Sequence, residues 1–287
     1  MKIFNYFQIF VFNIMNRTKE YIEDVFKNIE KINSDNVDQK TKCSVFQIIS
    51  DLNNGKVRLA EKTNNIWKTN HWVKKAILIY FKIKKNRIFL EERTTYFDKI
   101  NSKFFKYDFD SFQEKKIRVV PIATVRYGSF IGKRTVLMPC YVNIGAYIGE
   151  GTMIDTWSTI GSGAQIGNHV HISGGVGIGG VLEPIQEDPT IIEDYCFIGA
   201  RSEITEGVIV EKYSVISMGV YISKSTKIYD REQDKISYGL VPSGSVVIPG
   251  VIPDESGKFG MYCAIIAKKV DKNTRKKVSI NSLLRSV

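Results

Sequence analysis

The chain has 287 residues, of which 43% are hydrophobic, an ordinary share for a folded globular protein of one large or two modest domains, which argues against disorder. Its 41 basic and 30 acidic residues give a formal charge of +11, which favours anionic partners: nucleic acid, an acidic membrane surface or a phosphate-bearing cofactor. The basic stretch Lys82–Lys85 lies near no nucleic-acid-binding motif, so we interpret it as solvated surface and expect neither nucleic acid nor a membrane as partner.

Residues 1–14 form a doubtful N-terminal extension. The segment is apolar and aromatic, but Asn5, Gln8 and Asn13 interrupt it, and it is too short to span a bilayer. A weak signal peptide is one interpretation. We favour the other, an upstream start codon ahead of Met15, and the sequence leaves the choice of start open.

Residues 15–110 are predicted to form a small α+β N-terminal domain. Helical spacing surrounds Val25 and Ile48, and the stretch from Gly55 to Trp67 alternates like a hairpin. An apolar helix is predicted from Trp72 to Phe81.

A six-residue repeat dominates residues 111–250. Large apolar residues recur at every sixth position in two series, Phe130, Val136, Val142, Ile148, Ile154, Ile160, Ile166, Ile172 and Ile178, then Ile192, Ile198, Ile204, Val210, Ile216, Ile222 and Ile228. Because alternate residues of a strand share a face, each hexad is predicted to be a short strand with inward side chains. Three hexads then form one turn of a triangular parallel β-helix, left-handed as hexapeptide coils are, with Phe130, Ile148 and Ile166 on one rung. The fold class is therefore mainly β.

The cysteines fit this pattern as small inward residues. Cys140 and Cys196 stand two positions before large inward residues, and the four cysteines form no CxxC pair. We expect buried thiols in a reducing, cytoplasmic compartment.

The repeat breaks once, at Val181–Thr190, after a glycine-rich edge at residues 174–180. Either one hexad carries an eight-residue loop or two hexads carry a two-residue bulge, and the prolines favour the loop. We expect this loop to be mobile over a cleft. Residues 251–287 form a C-terminal segment, with a strand predicted over Met261–Lys269 and a helix over Ser279–Arg285.

Several polar residues depart from the repeat. Asp155 occupies a corner position where glycine is common, which is consistent with a turn residue or with a carboxylate in a pocket beside Trp157. Glu203 points outward near Arg201, as part of a surface ion pair or of a site. His171 stays open as a general base or a packing residue. With only three histidines, one of them in the N-terminal domain, no three-histidine zinc site fits the coil, and we expect no metal.

Six segments resemble the tetrahydrodipicolinate N-succinyltransferase family. They are Arg118–Pro121, Leu137–Pro139, Val142–Ala146, Gly151–Trp157, His171–Pro184 and Phe197–Glu203. The resemblance implies a homotrimer with active sites between subunits. It also implies transfer of succinyl from succinyl-CoA, a cosubstrate and not a tightly bound cofactor, to the amino group of ring-opened tetrahydrodipicolinate, in lysine biosynthesis by the diaminopimelate route. Substrate contacts at Arg118 and Asp155 are implied as well.

That chemistry suits the outward residues. An amine attacks a thioester only when unprotonated, so Asp155, helped by Glu203, could hold the ammonium and accept its proton. Arg118 and Arg201 could bind the substrate carboxylates through bidentate forks. Two alternatives remain at this point: a hexapeptide acyltransferase with another donor or amine acceptor, and a non-catalytic β-helix scaffold. Residues that contact CoA are not identified.

Overall fold

The computed structural model describes residues 16–91, 94–182 and 185–271. The helices come first: α1 over 16–27, a 3-10 turn at Ile29–Lys31, α2 at Gln39–Asn53, α3 at His71–Ile83 and α4 at Phe109–Lys115. In the described ranges, no helix has both the length and the apolar character needed to cross a bilayer.

The N-terminal domain is built on the packing of α2 against α3. Asp38 caps α2, because its carboxylate accepts a hydrogen bond of 2.8 Å from the amide of Thr41. Buried residues of α2 recur at helical spacing, including Val45 and Ile49, and meet Val73 and Ile77 of α3 in one core. The helices predicted around Val25 and Ile48 and over Trp72–Phe81 are confirmed.

Two hairpins complete this domain. The predicted one is β1 (Ala60–Thr63) with β2 (Ile66–Thr69), whose turn residues Asn64 and Asn65 both have positive φ, as a tight hairpin turn requires. The second, β3 (Arg87–Glu91) with β4 (Thr94–Asp98), was not predicted from the sequence.

Three ladders of short parallel strands form the coil, which is a left-handed parallel β-helix. The first side consists of β5 (Arg118–Val119), β8 (Val136–Leu137), β11 (Met153–Ile154), β14 (His171–Ile172), β17 (Phe197–Ile198) and β20 (Val215–Ile216). The second side consists of β6 (Thr124–Val125), β9 (Tyr141–Val142), β12 (Thr159–Ile160), β15 (Gly177–Ile178), β18 (Glu203–Ile204) and β21 (Tyr221–Ile222). The third side consists of β7 (Phe130–Ile131), β10 (Tyr147–Ile148), β13 (Gln165–Ile166), β16 (Ile191–Ile192), β19 (Ile209–Val210) and β24 (Leu240–Val241).

The inward rows match the predicted repeat from Val142 to Ile222 but not before it. Ile131 lies opposite Ile148 and is buried, so the prediction that Phe130 points inward is wrong. Phe130 faces outward and stacks on Tyr147 with ring centroids 4.6 Å apart. The prediction for Val136 is wrong for the same reason.

The cause is a hexad that is one residue short. Inward Leu137 and inward Val142 are five positions apart instead of six, so the earlier strands are shifted by one position. Strands β7 and β8 each carry two adjacent apolar residues, Phe130–Ile131 and Val136–Leu137, and the period alone could not choose between them.

The repeat also ends earlier than predicted. Ile228 is buried, but it lies in β22 (Ile228–Asp230), which pairs with β23 (Lys235–Ser237) and with the C-terminal strand β26 (Gly260–Lys269). The next rung above Val210 is Val241. A long hairpin, β25 (Ser245–Pro253) with β26 (Gly260–Lys269), closes this end and confirms the predicted C-terminal strand. The extension 1–14 and the predicted helix Ser279–Arg285 lie outside the described residues.

The interruption at Val181–Thr190 holds one hexad with an eight-residue loop, because Gln165 of β13 pairs directly with Ile191. The loop contacts the N-terminal domain. Lys74 Nζ donates to the carbonyl of Gln186 at 2.7 Å, and Thr69 Oγ1 donates to Asp188 Oδ1 at 2.6 Å.

The N-terminal domain covers the third side of the coil. Buried Glu193 accepts hydrogen bonds from Lys62 Nζ (2.5 Å) and Trp67 Nε1 (2.8 Å) of the first hairpin. The Arg58 guanidinium lies 3.6 Å from the Tyr147 ring centroid. This arrangement leaves the predicted site residues on the first and second sides.

Candidate active site

A strip of glycines on the second side lets side chains from the next turn of the coil fold down onto it. The Glu203 carboxylate lies against Gly177, where an added Cβ would come within 1.8 Å of Glu203 Oε2. Arg201 lies in the same way over Gly175, which has a φ of +67°. The sequence predicts that the glycines leave one edge of the coil without side chains, so that another backbone or a ligand can come close to it. In the structure, the groups that come close are the side chains of Glu203 and Arg201.

A groove of about 350 Å³ opens along this strip. Trp157 forms one wall, with 64% of its surface exposed, and its amide donates to the carbonyl of Pro139 at 2.6 Å. The remaining lining residues are Thr159, Gly161, Gly175, Val176, Gly177, Ile178, Gly179, Gly180 and Glu203. Among the described lining residues, the Glu203 carboxylate is therefore the one charged group in an otherwise uncharged groove.

That carboxylate is chemically available. Among the described residues, Glu203 and Arg201 do not form an ion pair within 4 Å, in contrast to the alternative considered from the sequence. Partial burial raises the pKa of Glu203. A carboxylate with a raised pKa is a better proton acceptor than an ordinary surface glutamate.

Asp155 lies at the corner where the chain leaves the first side. Its Oδ1 accepts hydrogen bonds from the amide (2.6 Å) and the hydroxyl (3.1 Å) of Thr156, as a corner residue would. In the described part of the chain its Oδ2 has no hydrogen-bond partner, so one oxygen serves the turn and the other is left for a ligand.

One chain does not bring all the predicted residues together. Thr159, which follows Asp155 closely, pairs with Gly177, and Gly177 pairs with Glu203, so the two carboxylates belong to coil turns about 10 Å apart. The Glu203 side chain extends one coil turn toward Asp155, because its carboxylate lies against Gly177. This shortens the separation along the coil axis from two interstrand spacings to one. Arg118 is exposed at the very start of the first side, four turns before Glu203.

Other candidates have structural partners. His171 is buried and stacks on Phe197, with ring centroids 4.9 Å apart and planes 5° apart, which favours packing over catalysis. Burial raises the pKa of Cys140 and of Cys196 to about 12, so neither thiol is an activated nucleophile. The expectation of buried thiols is wrong for Cys43, which is exposed.

Sequence reasoning missed a second space beside the groove, formed where α3 meets the coil. Its polar residues are Arg126, Asn143 and Ser162. Arg126 follows inward Val125 at a corner, as Asp155 follows Ile154, but the repeat does not indicate which corners a helix of another domain covers.

Comparison with known proteins gives three family matches. Residues 17–83 match the tetrahydrodipicolinate N-succinyltransferase N-terminal domain, 145–180 the bacterial transferase hexapeptide, and 189–224 the hexapeptide repeat of succinyl-transferase. Curated proteins named 2,3,4,5-tetrahydropyridine-2,6-dicarboxylate N-succinyltransferase are 55% identical in Sodalis glossinidius and 58% in Buchnera aphidicola, each over 95% of this chain and 99–100% of the relative. The chain belongs to this succinyltransferase family.

Membership in the family confirms the resemblance of the six segments. Glu203 and Trp157, which belong to two of these segments, line the same groove. The glycine strip between them belongs to a third, His171–Pro184.

Proposed function

We propose that the protein transfers the succinyl group of succinyl-CoA to the amino group of ring-opened tetrahydrodipicolinate, a step of lysine biosynthesis by the diaminopimelate route. The observation that carries the proposal is the Glu203 carboxylate, which has no ion-pair partner among the described residues and lies over a glycine strip in an open groove of a chain from this family. A narrow pantetheine arm and a flexible dicarboxylate both require a trough in which no side chain blocks the coil.

The reaction needs a proton acceptor and a place for the amine. Asp155 and Glu203 hold the ammonium form of the acceptor and take up its proton, which frees the nitrogen lone pair. The nitrogen attacks the thioester carbon, the C–S bond breaks, and CoA leaves as its thiol while the amide forms. Arg118 and Arg201 bind the two carboxylates of the acceptor through paired N–H donors. No covalent acyl-enzyme and no tightly bound cofactor is needed.

We also propose a homotrimer with the sites between neighbouring coils. The third side is occupied by the chain's own N-terminal domain, through contacts such as Glu193 with Lys62. The first side presents an outward row with apolar Met153, Phe197 and Val215, which suits packing against another sheet face. A three-fold axis would place the first side of one coil against the second side of the next. Cytoplasmic localisation belongs to the same proposal.

Release of CoA tests this function directly. The purified protein is mixed with succinyl-CoA, and free thiol is followed with and without tetrahydrodipicolinate. We expect thiol release that depends on the acceptor. Release with other amines or acyl donors but not with this pair would assign a different acyltransferase activity, and no release with any pair would assign a scaffold.

A further inference from the structure

The second space, which we call the Arg126 pocket, is a cavity of about 480 Å³ between α3 and the coil. Leu78 and Phe81 of α3 form its apolar wall. Its remaining lining residues are Arg126, Asn143, Gly161, Ser162, Gly180 and Leu182. Gly161 and Gly180 also line the groove that contains Glu203, so the two spaces are neighbours along the coil.

Arg126 is the charged group that lines this pocket. Its Nη2 lies 2.5 Å from Asp98 Oδ2, and its Nη1 donates to Asn143 Oδ1 at 3.3 Å. The guanidinium also lies 5.6 Å from the Phe81 ring centroid. A guanidinium has five N–H donors, and these contacts use two of them within the described residues, so donors remain for a ligand.

The surroundings of Arg126 retain positive charge. Lys99 Nζ donates to the carbonyl of Phe81 at 2.7 Å, so among the described residues in these contacts two cations accompany one carboxylate, that of Asp98. The chemistry that fits such a pocket, with an apolar wall and a fork of N–H donors, is a short aliphatic chain ending in a carboxylate.

The spacing fits such a chain. Arg126 belongs to the first turn of the coil and contacts Asn143 in the second, while Glu203 descends from the fifth turn onto Gly177 in the fourth. Two interstrand spacings, about 10 Å, remain between the guanidinium and the carboxylate along the axis. A succinyl group whose thioester carbon is attacked beside Glu203 would extend its free carboxylate into this gap.

We propose that Arg126 binds the free carboxylate of the acyl donor and so selects succinyl over uncharged acyl groups. This inference rests on the proposed function, in which Arg118 and Arg201 serve the two carboxylates of the acceptor and leave that of the donor without a partner. The acceptor's remote carboxylate has the same chemistry, and the experiment below separates the two sources.

The test compares Kd values of succinyl-CoA and butyryl-CoA, which has a methyl group in place of the carboxylate, for wild type and Arg126→Gln. We expect Arg126→Gln to weaken binding of succinyl-CoA about tenfold to hundredfold, the range for hydrogen bonds to a charged group, and to leave butyryl-CoA within about twofold. If both donors bind the variant as they bind wild type, the same comparison is made with 2-aminopimelate and with its analogue that lacks the remote carboxylate. A loss confined to 2-aminopimelate assigns the pocket to the acceptor and overturns donor selection.

Two further variants separate recognition from a structural role. Asp98→Asn removes the ion pair but keeps Arg126, so a carboxylate subsite keeps or increases its preference for succinyl-CoA. If Arg126 only holds the base of the second hairpin, Asp98→Asn should cause the same loss as Arg126→Gln, for both donors alike. Arg134→Gln, which breaks an exposed ion pair with Glu150 at a different corner, is the matched control and should change neither Kd.

Failure of the proposed function and failure of the donor subsite give different results. Wild-type protein that releases no CoA from succinyl-CoA with tetrahydrodipicolinate would refute the function itself. Active wild-type protein whose preference between succinyl-CoA and butyryl-CoA is unchanged in folded Arg126→Gln would refute only the donor subsite.

Discussion

At the residue scale, the proposed site has two carboxylates whose backbone settings differ. Asp155 uses one oxygen to hold its own corner, and Glu203 lies over a glycine where any other residue would place a Cβ. The sequence indicated both residues as departures from the repeat. The sequence could not show that one oxygen of Asp155 accepts from Thr156 while the other stays available, because this depends on the side-chain rotamer.

Asp155→Asn tests the chemical role of that free oxygen. Asparagine keeps the acceptor for the Thr156 amide but cannot accept the proton of the substrate, so turnover should fall by about two orders of magnitude or more with folding intact. Steady-state CoA release and thermal unfolding measure the two effects. Asp194→Asn is the control, because Asp194 caps another corner by accepting from the Asn168 amide and should not affect turnover. Near-normal turnover of Asp155→Asn would mean that Asp155 is only a turn residue.

Gly177→Ala tests the position of Glu203. Gly177 has ordinary backbone angles, so alanine is tolerated there, but the added Cβ must displace the tip of the Glu203 side chain. We expect kcat to fall at least tenfold while the melting temperature stays within about 2 °C, since the displaced group is the flexible end of a side chain. Gly174→Ala, whose Cβ would meet only the Thr156 carbonyl at 3.3 Å, is the matched control. Full activity of Gly177→Ala would show that catalysis does not need the Glu203 carboxylate in its position over residue 177.

At the scale of elements, the coil and the helices of the N-terminal domain could be predicted, whereas the contacts between them could not. Apolar residues that recur every six positions identify the strands of the coil, and a period of 3.6 residues identifies helices. Both patterns are local to one segment of the chain. Nothing local in Glu193 indicates that it accepts from Lys62 and Trp67, more than 120 residues away. The same limit applies to the first turns of the coil. Either Phe130 or Ile131 could point inward by the repeat alone, and only the pairing of Ile131 with Ile148 in β10 decides between them.

The Glu193 cluster should give the docking of the N-terminal domain a pH dependence. Burial opposes ionisation of Glu193, but hydrogen bonds from Lys62, Trp67 and the Lys212 amide outweigh it and lower its pKa. A lowered folded-state pKa stabilises the fold above the unfolded-state pKa, and this stabilisation is lost as the pH falls through the folded-state value. Glu193→Gln should therefore lower the free energy of unfolding by about 2 kcal/mol at pH 7, with a smaller difference in acid.

Denaturant unfolding of wild type and Glu193→Gln at pH 7 and at pH 4 measures this dependence. Glu150→Gln, which removes the exposed ion pair with Arg134, should cost less than about 1 kcal/mol and serves as the control. A difference between Glu193→Gln and wild type that grows as the pH falls would contradict the assignment.

The loop Val181–Thr190 carries a prediction about motion. The sequence predicts a mobile loop that becomes ordered when substrate and CoA bind. In the structure, hydrogen bonds from the N-terminal domain to Gln186 and Asp188 hold the loop, and we expect the ordered state to contain them. Amide hydrogen exchange should slow in this loop on saturation with both substrates. Thr69→Val removes one tether and should speed exchange in the free enzyme. Equal protection in free and saturated enzyme would contradict a mobile loop.

At the scale of the whole molecule, the fold class and the family followed from the repeat and six segments, while the assembly of the site does not follow from one chain. Ile204 comes seven hexads after Ile154, so Asp155 lies at the corner that ends the first side and Glu203 lies on the second side, two coil turns further along. With the third side covered by the N-terminal domain, a three-fold arrangement is the simplest way to place one carboxylate opposite the other.

Subunit mixing measures this most directly. Asp155→Ala and Glu203→Ala chains, each inactive alone, are unfolded together and reassembled in equal amounts. About three quarters of random trimers are mixed, and each mixed trimer has one interface with both carboxylates, so we predict recovery of about one quarter of wild-type activity. Each parent refolded alone should stay inactive. Demonstrably mixed trimers without activity would contradict a site shared between neighbouring chains.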